Sequence, residues 1–189
     1  MSKKQQTMKN LAKKAYIATK AMQIIVTLTA TTMAAALSYV VLYSDKAKEI
    51  INMYLNNEVA YFLQLNPLIA EANTVQETLI PLFSGMVAEG IVVVFILYYL
   101  GAIFKSIRND NSPFDLFNVN CLKKAAFGII ILTFLPFLVE AGVMHLLKMT
   151  VVSSQIINLN FLAFAFFFYC LAYVFEYGAE LQRQSDETL

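Results

Sequence analysis

Tryptophan is missing from this chain, histidine occurs once, and cysteine twice. The lone His145 excludes a histidine-built zinc cluster and a paired-histidine intramembrane protease. Cys121 and Cys170 have neither C-x-x-C nor metal-ligand spacing, which argues against a thiol oxidoreductase; both are expected to be free thiols. Without Trp, an aromatic belt at a membrane boundary must be made of Tyr and Phe. No G-x-S-x-G and no P-loop occurs, so neither a nucleophile elbow nor a phosphate cradle is expected. The chain is therefore read as non-enzymatic, with no catalytic residue, metal or cofactor. Charge is scarce as well: 14% of residues are charged and 59% hydrophobic, too few of the first to coat a soluble globule.

Four apolar runs fill the chain. A span needs about 20 apolar residues at 1.5 Å each. The spans are expected at about 21–44, 79–104, 125–147 and 157–177, leaving a loop at 45–78, a polar turn at 105–124 and a tail at 178–189. The first run follows a long basic segment and is too long for a signal-peptide core, so it is expected to be retained. This predicts an all-α integral membrane four-helix bundle forming a single membrane domain. The lipid bilayer is the partner that composition demands.

Of the fourteen Lys and Arg, eleven lie in the N-terminal segment, the turn and the tail; three lie in the two other loops. By the positive-inside rule both termini and the turn are cytoplasmic, and 45–78 is extracytoplasmic. That loop is expected to hold an amphipathic helix up to Pro67. In the N-terminal segment, Met8, Leu11, Ala12, Ala15 and Tyr16 form one apolar stripe with lysines on the other faces. It reads either as a helix lying along an anionic leaflet or as a simple orientation signal. Thr27, Thr29, Thr31, Thr32 and the alanines at 34–36 predict close helix contact along the first span. Pro136 predicts a kink in the third.

Two carboxylates stand inside apolar runs: Glu89, flanked by Gly85, Ala88 and Gly90, and Glu140, one turn after Pro136. Counted from the outer ends of their spans, both lie roughly 10–15 Å deep. They are candidates for a shared polar site with His145, which lies about 140° around the helix from Glu140 and so is expected to meet Glu89 or a loop. Two readings stand: a proton or cation site, or interhelical glue worth about 1 kcal/mol.

The turn and the tail carry the most distinctive sequence. NSPFDLFN at 111–118, LKKAA at 122–126 and the ending FEYGAELQRQSDETL at 175–189 resemble a bacterial four-span family, domain of unknown function two-nine-seven-five, which includes YoaS-like proteins. The matching positions are Pro113, Phe114 and Asn118 in the turn, and Gly178, Leu181, Gln182, Asp186 and Thr188 in the tail. The resemblance implies a bacterial plasma (inner) membrane and brings no established activity. Members are often encoded beside a small Cro/CI-type transcription regulator, which implies a partnership. The basic residues here read as membrane-flanking charges, so no direct nucleic-acid binding is expected.

Two functions remain. The first is an accessory or regulatory sensor reporting through the turn and tail. The second is a small proton- or cation-coupled transporter, or a self-immunity/export protein, using Glu89 and Glu140; four helices enclose little volume, so it would need a homodimer. The acidic tail is expected either to fold back on Lys105, Arg108, Lys123 and Lys124 or to meet a partner.

Overall fold

The computed structural model describes residues 3–43, 75–109, 111–148 and 159–187. These form four α-helices: α1 (Lys3–Leu42), α2 (Val75–Arg108), α3 (Leu116–Leu146) and α4 (Leu159–Glu187). There is no strand among the described residues. Each helix is long and apolar enough to cross a membrane. At 1.5 Å per residue they measure about 60, 51, 46 and 44 Å, all longer than a hydrocarbon core of about 30 Å. The helix expected up to Pro67 lies outside the described residues, and 75–78, expected as loop, instead open α2.

The helices overrun the apolar runs at their polar ends. The basic segment continues into the first span as α1, with no break near Lys20. Its stripe divides: Ala12 is buried, as is Thr19 a further two turns on, while Met8 and Leu11 remain exposed. The turn is shorter than expected, 109–115, because both flanking helices extend into it. Lys105 and Arg108 sit in the last turn of α2, where positive charge complements the helix dipole. Asp115 caps α3, its Oδ1 accepting from the Phe117 N–H at 2.9 Å. From there Val119, Cys121, Leu122, Ala125 and Ala126 are buried, and this burial carries the helix through Asn118, Asn120, Lys123 and Lys124. Helix α3 remains helical through Pro136. It closes at Lys148, whose φ of 53° is the left-handed conformation common just past a helix end.

The threonine-rich stretch of α1 departs from expectation. Thr27, Thr29, Thr31 and Thr32 are exposed. Three of these hydroxyls donate to carbonyls of their own helix: Thr27 to Gln23 at 2.7 Å, Thr31 to Leu28 at 2.8 Å and Thr32 to Thr29 at 2.8 Å. A hydroxyl satisfied this way can face lipid without a neighbouring helix. The close contact of α1 is instead at Ala30: a Cβ built on Gly90 of α2 would lie 2.7 Å from the Ala30 Cβ.

Packing divides the chain into two compact units. The first, Met1–Thr27, Ile91–Thr133 and Asn158–Leu189, contains parts of all four helices and the 109–115 turn. Its core gathers Ile103 of α2, Cys121 and Leu122 of α3, and Ala172 of α4, with Phe168, Leu171 and Phe175 against them. Helix α4 enters through small residues, Ala165 and Ala172, seven apart on one face. Its larger rings point outward: Phe164, Phe166, Phe167 and Tyr173 are more than half exposed, the arrangement of a lipid-facing surface. The second unit, Leu28–Gly90 and Phe134–Ile157, packs Val40 of α1 against Leu79 of α2.

Candidate functional site

The residues marked in the turn and tail come together in space although about sixty residues separate them in the chain. Of the expected fold-back contacts, Glu176 does pair with Lys123, but without a reversal of the chain up to Glu187. The tail is the continuation of α4, and the turn leans onto it. The aromatic ring of Phe114 lies over the backbone of Gly178, where a built Cβ would stand 2.6 Å from Phe114 Cδ1. Any side chain at 178 would displace the ring. Phe114 also meets Phe175, one turn earlier, edge-to-face at 5.4 Å between centroids. The Ser112 hydroxyl donates to Gln182 Oε1 at 2.6 Å and accepts from the Phe114 N–H at 3.2 Å.

Asn118 holds this turn from beneath. It is fully buried, and its Nδ2 donates to the Ser112 carbonyl at 3.0 Å and the Pro113 carbonyl at 3.4 Å. Pro113 stiffens the segment between those carbonyls and Phe114. Farther along, Lys123 of α3 pairs with Glu176 of α4 at 2.8 Å. Leu181 stays 47% exposed beside the docked surface. The Asp186 side chain and Thr188 lie outside the described residues.

A cleft of about 750 Å³ lies between the turn, with the first residue of α3, and the last turns of α4. Asp115, Glu176, Glu180 and Glu187 line it, with Arg183 the one cation among the described residues. Arg183 bonds to Glu180 at 3.0 Å and approaches Glu187 at 3.8 Å. Phe114 and Tyr177 add an apolar wall. The cleft is thus acidic on one side and aromatic on the other.

The two membrane glutamates have unlike environments. Glu140 is 3% exposed. It packs on Gly85, where a built Cβ would lie 2.8 Å from Glu140 Oε1 and 3.0 Å from its Cγ. The small residue that the sequence places near Glu89 thus makes room for Glu140. Glu89 is exposed, and so is His145 at the end of α3.

One feature escaped sequence reasoning. Four cations in the first unit lie over tyrosine rings: Lys20 over Tyr98 at 5.9 Å, Arg108 over Tyr16 at 4.8 Å, Lys123 over Tyr173 at 5.2 Å and Lys124 over Tyr99 at 5.3 Å. Each joins two helices. The signal was there in outline, since a chain without Trp must use Tyr at its boundary, but the pairings need the fold. No family model, curated protein or solved structure matches the chain.

Proposed function

We propose that this is a multi-pass protein of a bacterial plasma membrane with both termini cytoplasmic, acting as a non-enzymatic accessory or regulatory sensor that reports through its turn and tail. The observation that carries the reading is the docking of Phe114 on Gly178, which joins two distant sequence elements into one acid-lined surface. The Lys and Arg distribution supports placing that surface in the cytoplasm. The resemblance of the same residues to the YoaS-like family suggests a partner, a small Cro/CI-type regulator encoded beside the gene. A cleft with four carboxylates and an aromatic wall suits a basic protein surface.

The test is co-purification of the full-length protein with that neighbouring regulator. Phe114→Ala and Glu180→Lys should each weaken capture at least tenfold while the protein still inserts and purifies. Equal capture by a chain truncated after Glu180 refutes the reading.

The burial of Glu140 against Gly85 favours one second reading, a proton- or cation-coupled transporter or exporter working as a homodimer. Proteoliposome flux that falls with Glu140→Gln and Glu89→Gln would support it. Absence of flux in the native protein would remove it.

A further inference from the structure

A second cleft lies between α1 and α2, and its chemistry is the opposite of the acidic one. It measures about 420 Å³ and holds two cations, Lys20 and Lys105. Ser106, Asn109 and Asn111 add a hydroxyl and two amides, and Tyr98, Gly101 and Ala102 form its less polar side. An adjoining cleft of about 580 Å³ shares Asn109 and adds Lys9, Lys13 and Arg108. Among the described residues, no carboxylate lines either cleft.

Position along the helices is the second observation. Lys20 is the last charge before the apolar run of α1, and Lys105 is the first charge after that of α2, apart from Glu89 within the run. Both therefore stand where their helices leave hydrocarbon, the level of lipid phosphates. Two of the cations, Lys20 and Arg108, are held in place, and Lys105 is exposed at the cleft. Lys20 Nζ donates to Gln23 at 2.7 Å and lies over Tyr98, and Arg108 lies over Tyr16. Asn111 Nδ2 donates to Ser106 Oγ at 3.1 Å, which ties that amide to α2. At Gly101, which is buried, a built Cβ would lie 3.7 Å from Thr19 Cγ2, so this small residue lets α1 and α2 close the cleft's apolar end. A membrane-orienting charge needs none of this arrangement. A cavity with paired cations, amide donors and an apolar lower wall suits a phosphate attached to acyl chains.

We propose that the α1–α2 cleft binds the phosphate of an anionic phospholipid, with Lys20 and Lys105 on the phosphate oxygens, the Asn109 and Asn111 amides above, and the glycerol end passing Gly101 and Ala102. This goes beyond the turn–tail reading and does not depend on it.

Native mass spectrometry of the full chain in detergent tests it, titrating phosphatidylglycerol, phosphatidylcholine and inorganic phosphate separately. Phosphatidylglycerol should bind saturably, at least tenfold tighter than phosphatidylcholine. Each cation near an anionic surface is worth about fivefold, so Lys20→Gln with Lys105→Gln should lose about twenty-fivefold. Lys123→Gln with Lys124→Gln, an equal charge change on α3, should shift affinity less than threefold. Lys20→Arg with Lys105→Arg should retain binding. If the glutamine pair fails to fold, Ala102→Leu narrows the cleft without changing charge and should weaken phosphatidylglycerol binding at least fivefold. Equal losses from both glutamine pairs, or no loss with a folded Ala102→Leu, overturn the site. Inorganic phosphate binding as tightly as the lipid also overturns it, since the ligand would then be a soluble anion.

Discussion

Alanine at position 178 should destabilise this protein, although glycine inside a helix ordinarily gains from that change. Gly178 lies well within α4. At a free helical site, Gly→Ala stabilises by about 0.5–1 kcal/mol, because glycine loses more backbone entropy on folding. Here the added methyl would stand 2.6 Å from Phe114 Cδ1 and 3.0 Å from Cγ and Cε1. These atoms belong to a ring held edge-to-face against Phe175, on a turn pinned by Asn118. Crowding a packed site costs about 1–3 kcal/mol. If the ring swings out instead, the aromatic pair is lost, at about 0.5–1.5 kcal/mol, along with part of its burial. A cost of about 2 kcal/mol less a gain of about 1 leaves a destabilisation of about 1 kcal/mol. In a Phe114→Ala background the obstruction is gone, and Gly178→Ala should stabilise by about 1 kcal/mol. The sign reverses, and the coupling is about 2 kcal/mol. The assay is a double-mutant cycle on reversible SDS-titration midpoints in mixed micelles, with amide exchange at Phe114 and Phe117 as a local readout. Coupling below about 0.5 kcal/mol, with Gly178→Ala stabilising both backgrounds, would mean that the turn does not rest on α4.

The same assay reaches two other contacts. Gly85→Ala should destabilise by about 1–3 kcal/mol through its clash with Glu140, and adding Glu140→Ala should recover most of that; an additive double variant contradicts the contact. Lys123→Glu and Glu176→Lys should each lower the midpoint, and the double exchange should restore it, whereas a pair contributing nothing would leave all three unchanged.

Hydropathy alone made the class and the number of helices legible, because a hydrocarbon core demands runs of about 20 apolar residues. It could not find the helix ends, since Lys13, Lys105, Asn118 and Glu180 all lie on helices that continue beyond those runs. The Thr run of α1 misled for a definite reason. Its hydroxyls read as demand for a neighbour, and the helix supplied the acceptors itself. Glu89 and Glu140 looked equivalent because chemistry and depth were all that could be compared. What separates them is Gly85, a residue on another helix from the buried one. Charge marked the turn's lysines against the acidic tail, and Lys123 does meet Glu176, but Phe114 and Gly178 were marked only through the resemblance. Nothing in the local sequence of 111–118 names Gly178 as its seat, because the vacancy that a glycine leaves is filled only once two elements meet.

The unbroken course of α1 has a mechanical consequence. Its first 18 helical residues precede the apolar run and measure about 27 Å at 1.5 Å each. The passage between the two parts is stitched: Thr19 Oγ1 donates to the Ala15 carbonyl at 2.7 Å, and Lys20 to Gln23. A continuous hydrogen-bonded helix cannot twist at one end and stay fixed at the other without breaking that ladder. Torque applied to the lysine-rich turns would therefore arrive at Thr19, where it meets Gly101, and at Lys20, where it meets Tyr98. The N-terminal segment is in this sense a handle, and whatever grasps it holds the membrane helix by its axis.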